Sequence, residues 1–125
     1  MKTPQQQKGT QGEDLAVTFL TQKGYEIVVR NYRYKRGEID VIAKKVSSDP
    51  KNKLLVFVEV KLRSYDAYGL PEETVSENQQ NLIMTTAEYY IEEVNWEYDI
   101  RFDIVAIQLR RGFPPLITHF EDVFY

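Results

Sequence analysis

One stretch constrains the fold of this chain more than any other: KLLVFVEVKLR, residues 53–63. Its β-branched and aromatic residues mark a strand. Side chains alternate across a strand, so Val56, Val58, Val60 and Leu62 share one face, and Phe57, Glu59 and Lys61 share the other. The valine face is core. The opposite face begins apolar and turns charged toward the strand's C-terminal end. Charges in a half-buried strand cost free energy unless they are paired or hold a metal. The preceding strand, GEIDVIAK at 37–44, carries Asp40, and the polar turn KVSSDPKNK at 45–53 joins the two as an antiparallel hairpin. Asp40, near the start of its strand, is then expected beside the end of the partner, next to Glu59 and Lys61.

The rest of the chain supplies layers for this hairpin. Residues 1–9, rich in Gln and Lys, read as a flexible tail, and 10–125 as a single domain. A first helix is expected from about Gln11 to Lys23, ended by Gly24, with Leu15, Ala16, Phe19 and Leu20 apolar. Glu13 falls in its first turn, at the edge of the buried stripe, where an acid also suits the helix dipole. Residues 25–34 read as another strand, and 64–75 as a loop in which Gly69 and Pro71 fix a turn. Ser76 and Gln79 have capping-box spacing at the start of a second helix. On that helix Ile83, Ala87, Tyr90, Ile91 and Val94 form an apolar face, and Glu88, Glu92 and Glu93 a polar one. Strands at 100–110 and 116–120 close the chain. The order α-β-β-β-α-β-β predicts an α/β fold, a mixed β-sheet flanked by helices.

Composition narrows the function classes. The chain has no Cys, which excludes disulfides, thiolate metal sites and a Cys nucleophile. No apolar run reaches membrane-spanning length, and the N-terminus has no apolar stretch of a secretory signal, so a cytoplasmic protein is expected. The net charge of −3 conceals an asymmetry. Residues 1–63 hold 13 Lys/Arg against 7 Asp/Glu, and residues 64–125 hold 3 against 12. The basic half suits a polyanion, while the acidic half suits a solvated face. Tyr32 and Tyr34, among Arg30, Arg33, Lys35 and Arg36, suit base stacking or plain strand packing. His119, the only His, reads as a surface or satisfied side chain.

Two carboxylates at close range repel and call for a cation between them. Hard oxygen donors suit Mg²⁺ or Mn²⁺, which lower the pKa of bound water and take up phosphoryl charge. A lysine beside them orients the water or stabilises a pentavalent phosphate. A structural network of Lys61 with its carboxylates fits the same spacing.

At these residues the sequence resembles the PD-(D/E)xK, restriction-endonuclease-like nucleases: Asp40, then Glu59-x-Lys61 on the next strand. It resembles the YraN family more closely, whose fold is similar to archaeal Holliday-junction resolvases. GEDLAVTFL, GYEIVVRNYR, GEIDVIA, VFVEVKLR, GLPEETV and RFDIVAI match that family's motifs in order, over roughly residues 9–110. The resemblance implies a restriction-endonuclease-like fold and roles residue by residue. Asp40 and Glu59 would be metal ligands, Lys61 the catalytic lysine and Glu13 the helix-one acid that reaches the metal. Val60 would offer its backbone carbonyl to the ion. Glu38 would join the site or bind an arginine beside it. Arg63, with Arg33 and Arg36, would contact nucleic acid. Gln79 stands where the family pattern has a lysine, so it would hydrogen-bond a phosphate or a metal-bound water without supplying charge.

Two functions follow. One is an endonuclease dependent on Mg²⁺ or Mn²⁺ that hydrolyses DNA phosphodiester bonds, on branched or structured DNA by resemblance to the resolvases. The other is a catalytically silent module on the same fold that binds nucleic acid or a protein. The resemblance to resolvases also implies a homodimer.

Overall fold

The computed structural model describes residues 4–45, 49, 53–63 and 75–124, with side chains from Thr10 onward. The elements are α1 (Pro4–Gln22), β1 (Glu26–Tyr34), β2 (Gly37–Lys45), β3 (Leu54–Arg63), α2 (Glu77–Val94), β4 (Asp99–Arg110) and β5 (Phe113–Phe120). Their order is the one expected. Most of the turn at 45–53 and the Gly69–Pro71 loop lie outside the described residues.

The five strands form one sheet in the order β1-β2-β3-β4-β5. β1, β2 and β3 run antiparallel in succession, β3 and β4 are parallel, and β5 returns antiparallel to β4. A parallel pair needs a crossover, and α2 occupies it. The central strand β3 is therefore covered on both faces. Its valine face packs with Ala16 and Leu20 of α1, Val41 and Ala43 of β2, and Val105 and Ile107 of β4. Its other face places Leu55 and Phe57 with Ile83, Ala87 and Tyr90 of α2 and with Phe102 and Ile104 of β4. Phe57 stacks on Phe102 at 5.3 Å between centroids. Burial of this kind contributes about 25 cal/mol per Å² of apolar surface, and it is what orders the strand ends that carry charge.

Several boundaries differ from expectation. α1 begins at Pro4, so the segment read as a tail is helical from there. Proline fits the first helical turn, where its missing N–H costs nothing, and glutamine and lysine are good helix formers. β5 begins at Phe113 rather than Leu116, through Pro114 and Pro115. An edge strand tolerates prolines, since one side of its backbone needs no partner. On α2, Val94 is 44% exposed and Thr86 instead joins the buried face. The Thr86 hydroxyl donates to the Leu82 carbonyl at 2.7 Å, which lets a polar side chain sit in the core. Asn95 ends α2 with φ 55°, a left-handed conformation that Asn adopts more readily than most residues. Among the described residues no helix is long and apolar enough to cross a membrane.

Candidate functional site

The β2–β3 register runs from Lys45↔Leu54 to Val41↔Val58. Beyond it, the Val60 N–H donates to the Asp40 carboxylate, Oδ2, at 2.8 Å. A side chain thus takes the place of a ladder partner. Strict alternation along β2 breaks at the same point. Ile39 and Ile42 both pack on the α2 side, while Val41 and Ala43 pack on the α1 side. The break lets the Asp40 carboxylate lie along the sheet, toward the β3 backbone. That position explains why it feels acids from both layers: Glu13 of α1 and Glu59 of β3.

Asp40 and Glu59 hydrogen-bond each other through their carboxyls. Burial pushes Glu59 up to about 8, and the neighbouring Asp40 charge adds to it against the pull of Lys61. Burial also pushes Asp40 up, to about 6; Glu13 and Glu38 reinforce the rise, and the Val60 N–H opposes it. The pair therefore favours keeping one proton between its two carboxyls. Ser76 caps α2 by accepting from the Gln79 N–H at 3.2 Å. The other half of the expected capping box is redirected, because Gln79 Nε2 donates to Glu59 Oε1 at 3.3 Å. Glu38, Asp40, Glu59 and Gln79 line a cleft of about 240 Å³, with Arg36 at its mouth and Ile83 at its floor.

Glu13 approaches from the other layer. Gly12 makes room: a Cβ there would come within 3.2 Å of the Leu62 Cβ on β3. The Glu13 side chain is only 15% exposed, Arg30 Nη2 is 3.7 Å from its Oε1, and that buried oxygen has no hydrogen-bond partner. Arg30 is held instead by Asp14 at 2.7 Å. Glu13 thus reaches Asp40 electrostatically without joining the Asp40–Glu59 contact. Among the described residues no three His, Asp or Glu side chains form a ready-made metal cluster.

The remaining site residues divide. Lys61 is half-buried on the Glu59 side of β3, and its charge reaches Glu59. Arg33 is well exposed and sits 3.7 Å from Glu38. Arg63 ends β3 opposite Gln108 of β4. Only Arg36 among the three arginines lines the cleft.

Comparison with known proteins places the chain in a family. The model of the Uncharacterised protein family UPF0102 matches residues 12–107. The chain belongs to the UPF0102 family, the YraN family that its motifs resemble. A UPF0102 protein of Cytophaga hutchinsonii is 48% identical over 101 residues, covering 81% of this chain and 84% of that one. One of Thermodesulfovibrio yellowstonii is 38% identical over 117 residues, covering 94% and 95%. One of Rhodococcus opacus is 41% identical over 117 residues, covering 93% and 94%.

The UPF0102 motif RFDIVAI contributes a second polar cluster that sequence reasoning missed. Asp103 is fully buried. It accepts from Arg101 Nε and Nη2 at 2.8 and 2.7 Å and from the Asp122 N–H at 3.0 Å, and His119 Nε2 lies 2.7 Å from it. Arg101 also donates to the Tyr25 hydroxyl at 2.7 Å. Lys23 Nζ meets His119 Nδ1 at 2.8 Å. An ammonium only donates, so Nδ1 accepts and Nε2 carries the proton to Asp103. Burial alone would raise Asp103, but the bonds from His119, Arg101 and Asp122 hold it below the usual carboxylate range. His119 is a satisfied core residue that ties β5 to β4. The only sequence signal was spacing, Arg101 and Asp103 sharing one face of β4.

Proposed function

We propose that this protein hydrolyses phosphodiester bonds in DNA with a divalent cation, Mg²⁺ or Mn²⁺, held by Asp40 and Glu59. The observation that carries the reading is the contact between those two carboxyls in a half-buried cleft. Burial, together with the neighbouring negative charge, favours keeping one of them protonated near neutral pH, and a hard cation is what lets both ionise. The donor set fits such an ion. It offers two carboxylates in contact, and the buried, unbonded Glu13 Oε1 is a third oxygen within electrostatic reach. The Val60 carbonyl would add a fourth, since the N–H and C=O of one strand residue point the same way and its N–H points at Asp40. A bound ion would supply Lewis-acid polarisation of the phosphate and a more acidic water.

The chain's own groups do the rest. Gln79 holds the Glu59 carboxyl in place through its side-chain amide. Lys61 would donate to the attacking water or to a phosphoryl oxygen. Arg36, at the cleft mouth, would position the scissile phosphate, and Arg33 and Arg63 its neighbours. Branched or structured DNA is the substrate class that the resemblance to resolvases favours, with a homodimer supplying two sites for two strands.

A silent binding module remains the second reading. It is favoured by the lack of a three-ligand cluster among the described residues and by Gln79 bringing an amide rather than a cation. Two experiments separate them. Calorimetric titration with Mn²⁺ is expected to show binding to the wild type and none to Asp40→Asn or Glu59→Gln. A cleavage panel of single-stranded, duplex, flap and four-way DNA with Mg²⁺ is expected to show nicking that Lys61→Ala abolishes. Metal binding without nicking of any DNA selects the binding module, and cleavage unchanged by Lys61→Ala refutes the assigned site.

A further inference from the structure

A second cleft of about 240 Å³ opens beside the first. It is lined by Tyr34, Lys35, Arg36 and Gly37 at the β1–β2 turn and by Leu82, Thr85 and Thr86 of α2, and the two sides meet where Gly37 packs against Thr86. The walls are mainly apolar. Arg36, Gly37 and Leu82 border both clefts, so the two are neighbours. The wall is also stiff. The Tyr34 ring stacks on Tyr89 at 3.9 Å with 10° between planes, and the Lys35 ammonium sits 5.3 Å from its centroid. Leu82 is 43% exposed, an apolar side chain left open beside the Tyr34–Tyr89 stack.

We infer that this cleft receives one unpaired nucleobase of the DNA strand whose phosphate occupies the carboxylate cleft. The inference rests on the proposed nuclease reading and names the kind of substrate that site takes. Size favours a single ring system: sites for drug-sized ligands run to about 300–1,000 Å³, and this one is smaller. Apolar walls suit the π-face of any base, which gives affinity with little sequence preference. Charge favours a nucleotide over a neutral apolar ligand. Lys35 and Arg36 stand at the same turn as the apolar wall, where the phosphates on either side of a bound base would pass. A base in an intact duplex is stacked and paired, and entering a cleft costs it both interactions. The cleft therefore selects strands with an unpaired nucleotide next to the attacked phosphate, as at junctions, flaps and single-stranded ends.

The test is an abasic scan. A short single-stranded oligodeoxynucleotide is bound to the full chain in Ca²⁺ and followed by fluorescence anisotropy, with each base in turn replaced by an abasic site. One position is expected to weaken wild-type binding roughly tenfold. Thr85→Phe, which fills the cleft from an exposed helical position, is expected to weaken the intact strand by the same factor. It should leave the strand abasic at that position unchanged. Leu82→Ala is the companion variant, expected to shift in the same direction, and thermal melting confirms that both fold. A flat abasic scan with the intact strand still bound overturns the nucleobase cleft and leaves the carboxylate site standing. Equal weakening of intact and abasic strands by Thr85→Phe overturns it too, because the variant would then be acting on the backbone. No binding to single-stranded, duplex or four-way DNA overturns both readings.

Discussion

Asp40 and Asp103 are the same side chain in opposite surroundings. Asp103 is held ionised by an arginine, a histidine and a backbone N–H. Asp40 faces other acids and sits well above its ordinary range. Glu59, raised from 4.5 to about 8, binds more protons folded than unfolded between those two values. Its contribution to stability is therefore full below about pH 4.5 and lost as pH rises through about 8. At about 1.4 kcal/mol per pKa unit, the metal-free protein should lose on the order of a few kcal/mol across that window. Glu59→Gln keeps an acceptor for Gln79 and removes the charge. Above about pH 8 it is expected to melt higher than the metal-free wild type, and at acid pH to melt alike. Mn²⁺ should raise the melting temperature of the wild type only. Asp103 works in reverse. Its depressed pKa contributes stability above the unfolded value of 3.8 that is lost as pH falls through the folded value. Asp103→Asn, which breaks a buried ion pair, should cost about 3–5 kcal/mol at neutral pH in denaturant titration. Of the two, only the Asp40 site was legible in sequence, because strand alternation brought Glu59 and Lys61 onto one face and the hairpin brought Asp40 to them. Beyond Arg101, the partners of Asp103 are His119 and the Asp122 N–H, and no local period connects those.

Elements hold the clefts open through close approach. A Cβ on Gly37 would fall into the Thr86 hydroxyl and within 2.9 Å of the Leu82 carbonyl oxygen. The glycine that begins β2 is thus what lets α2 lie against the sheet beside Glu38 and Asp40. Gly37→Ala forces backbone or helix to move, and overpacking of this kind costs about 1–3 kcal/mol. The expected result is a lower unfolding midpoint together with weaker Mn²⁺ binding, since the same helix carries Gln79 to Glu59. A variant with wild-type stability and wild-type metal affinity would refute the close packing. Element type and order were readable from period alone. The ends were not. α1 extends to Pro4 because nothing in a Gln/Lys run stops a helix, and β5 starts at Phe113 because an edge position excuses two prolines. Gln79 was read as a contact to phosphate or metal-bound water. Its bond to Glu59 depends on how α2 docks, which no sequence period encodes.

Across the whole molecule, charge is sorted by position. Lys35 and Arg36 cluster at the β1–β2 turn beside the carboxylate cleft, with Lys61 behind Glu59 on β3. The outer face of α2 presents exposed Glu88, Glu92 and Glu93, the last accepting from the Tyr32 hydroxyl at 2.8 Å. A nucleic acid laid along that face would be repelled, so a strand bound as proposed would approach over the β1–β2 turn. Few cations would then touch phosphate. With about three contacts, the logarithm of affinity for single-stranded DNA should fall with the logarithm of salt at a slope near −2, since each contact contributes about −0.7. Arg33 adds less than a free arginine would, because Glu38 stands 3.7 Å away. Arg36→Ala should reduce the magnitude of the slope by close to one contact's worth, and Glu92→Gln should leave it unchanged because it lies two helical turns beyond Thr85, toward the other end of α2. Anisotropy titrations over a salt series measure both. Equal effects of the two substitutions would mean that the strand runs across α2, and the cleft beside Asp40 and Glu59 would lose its claim to the phosphate.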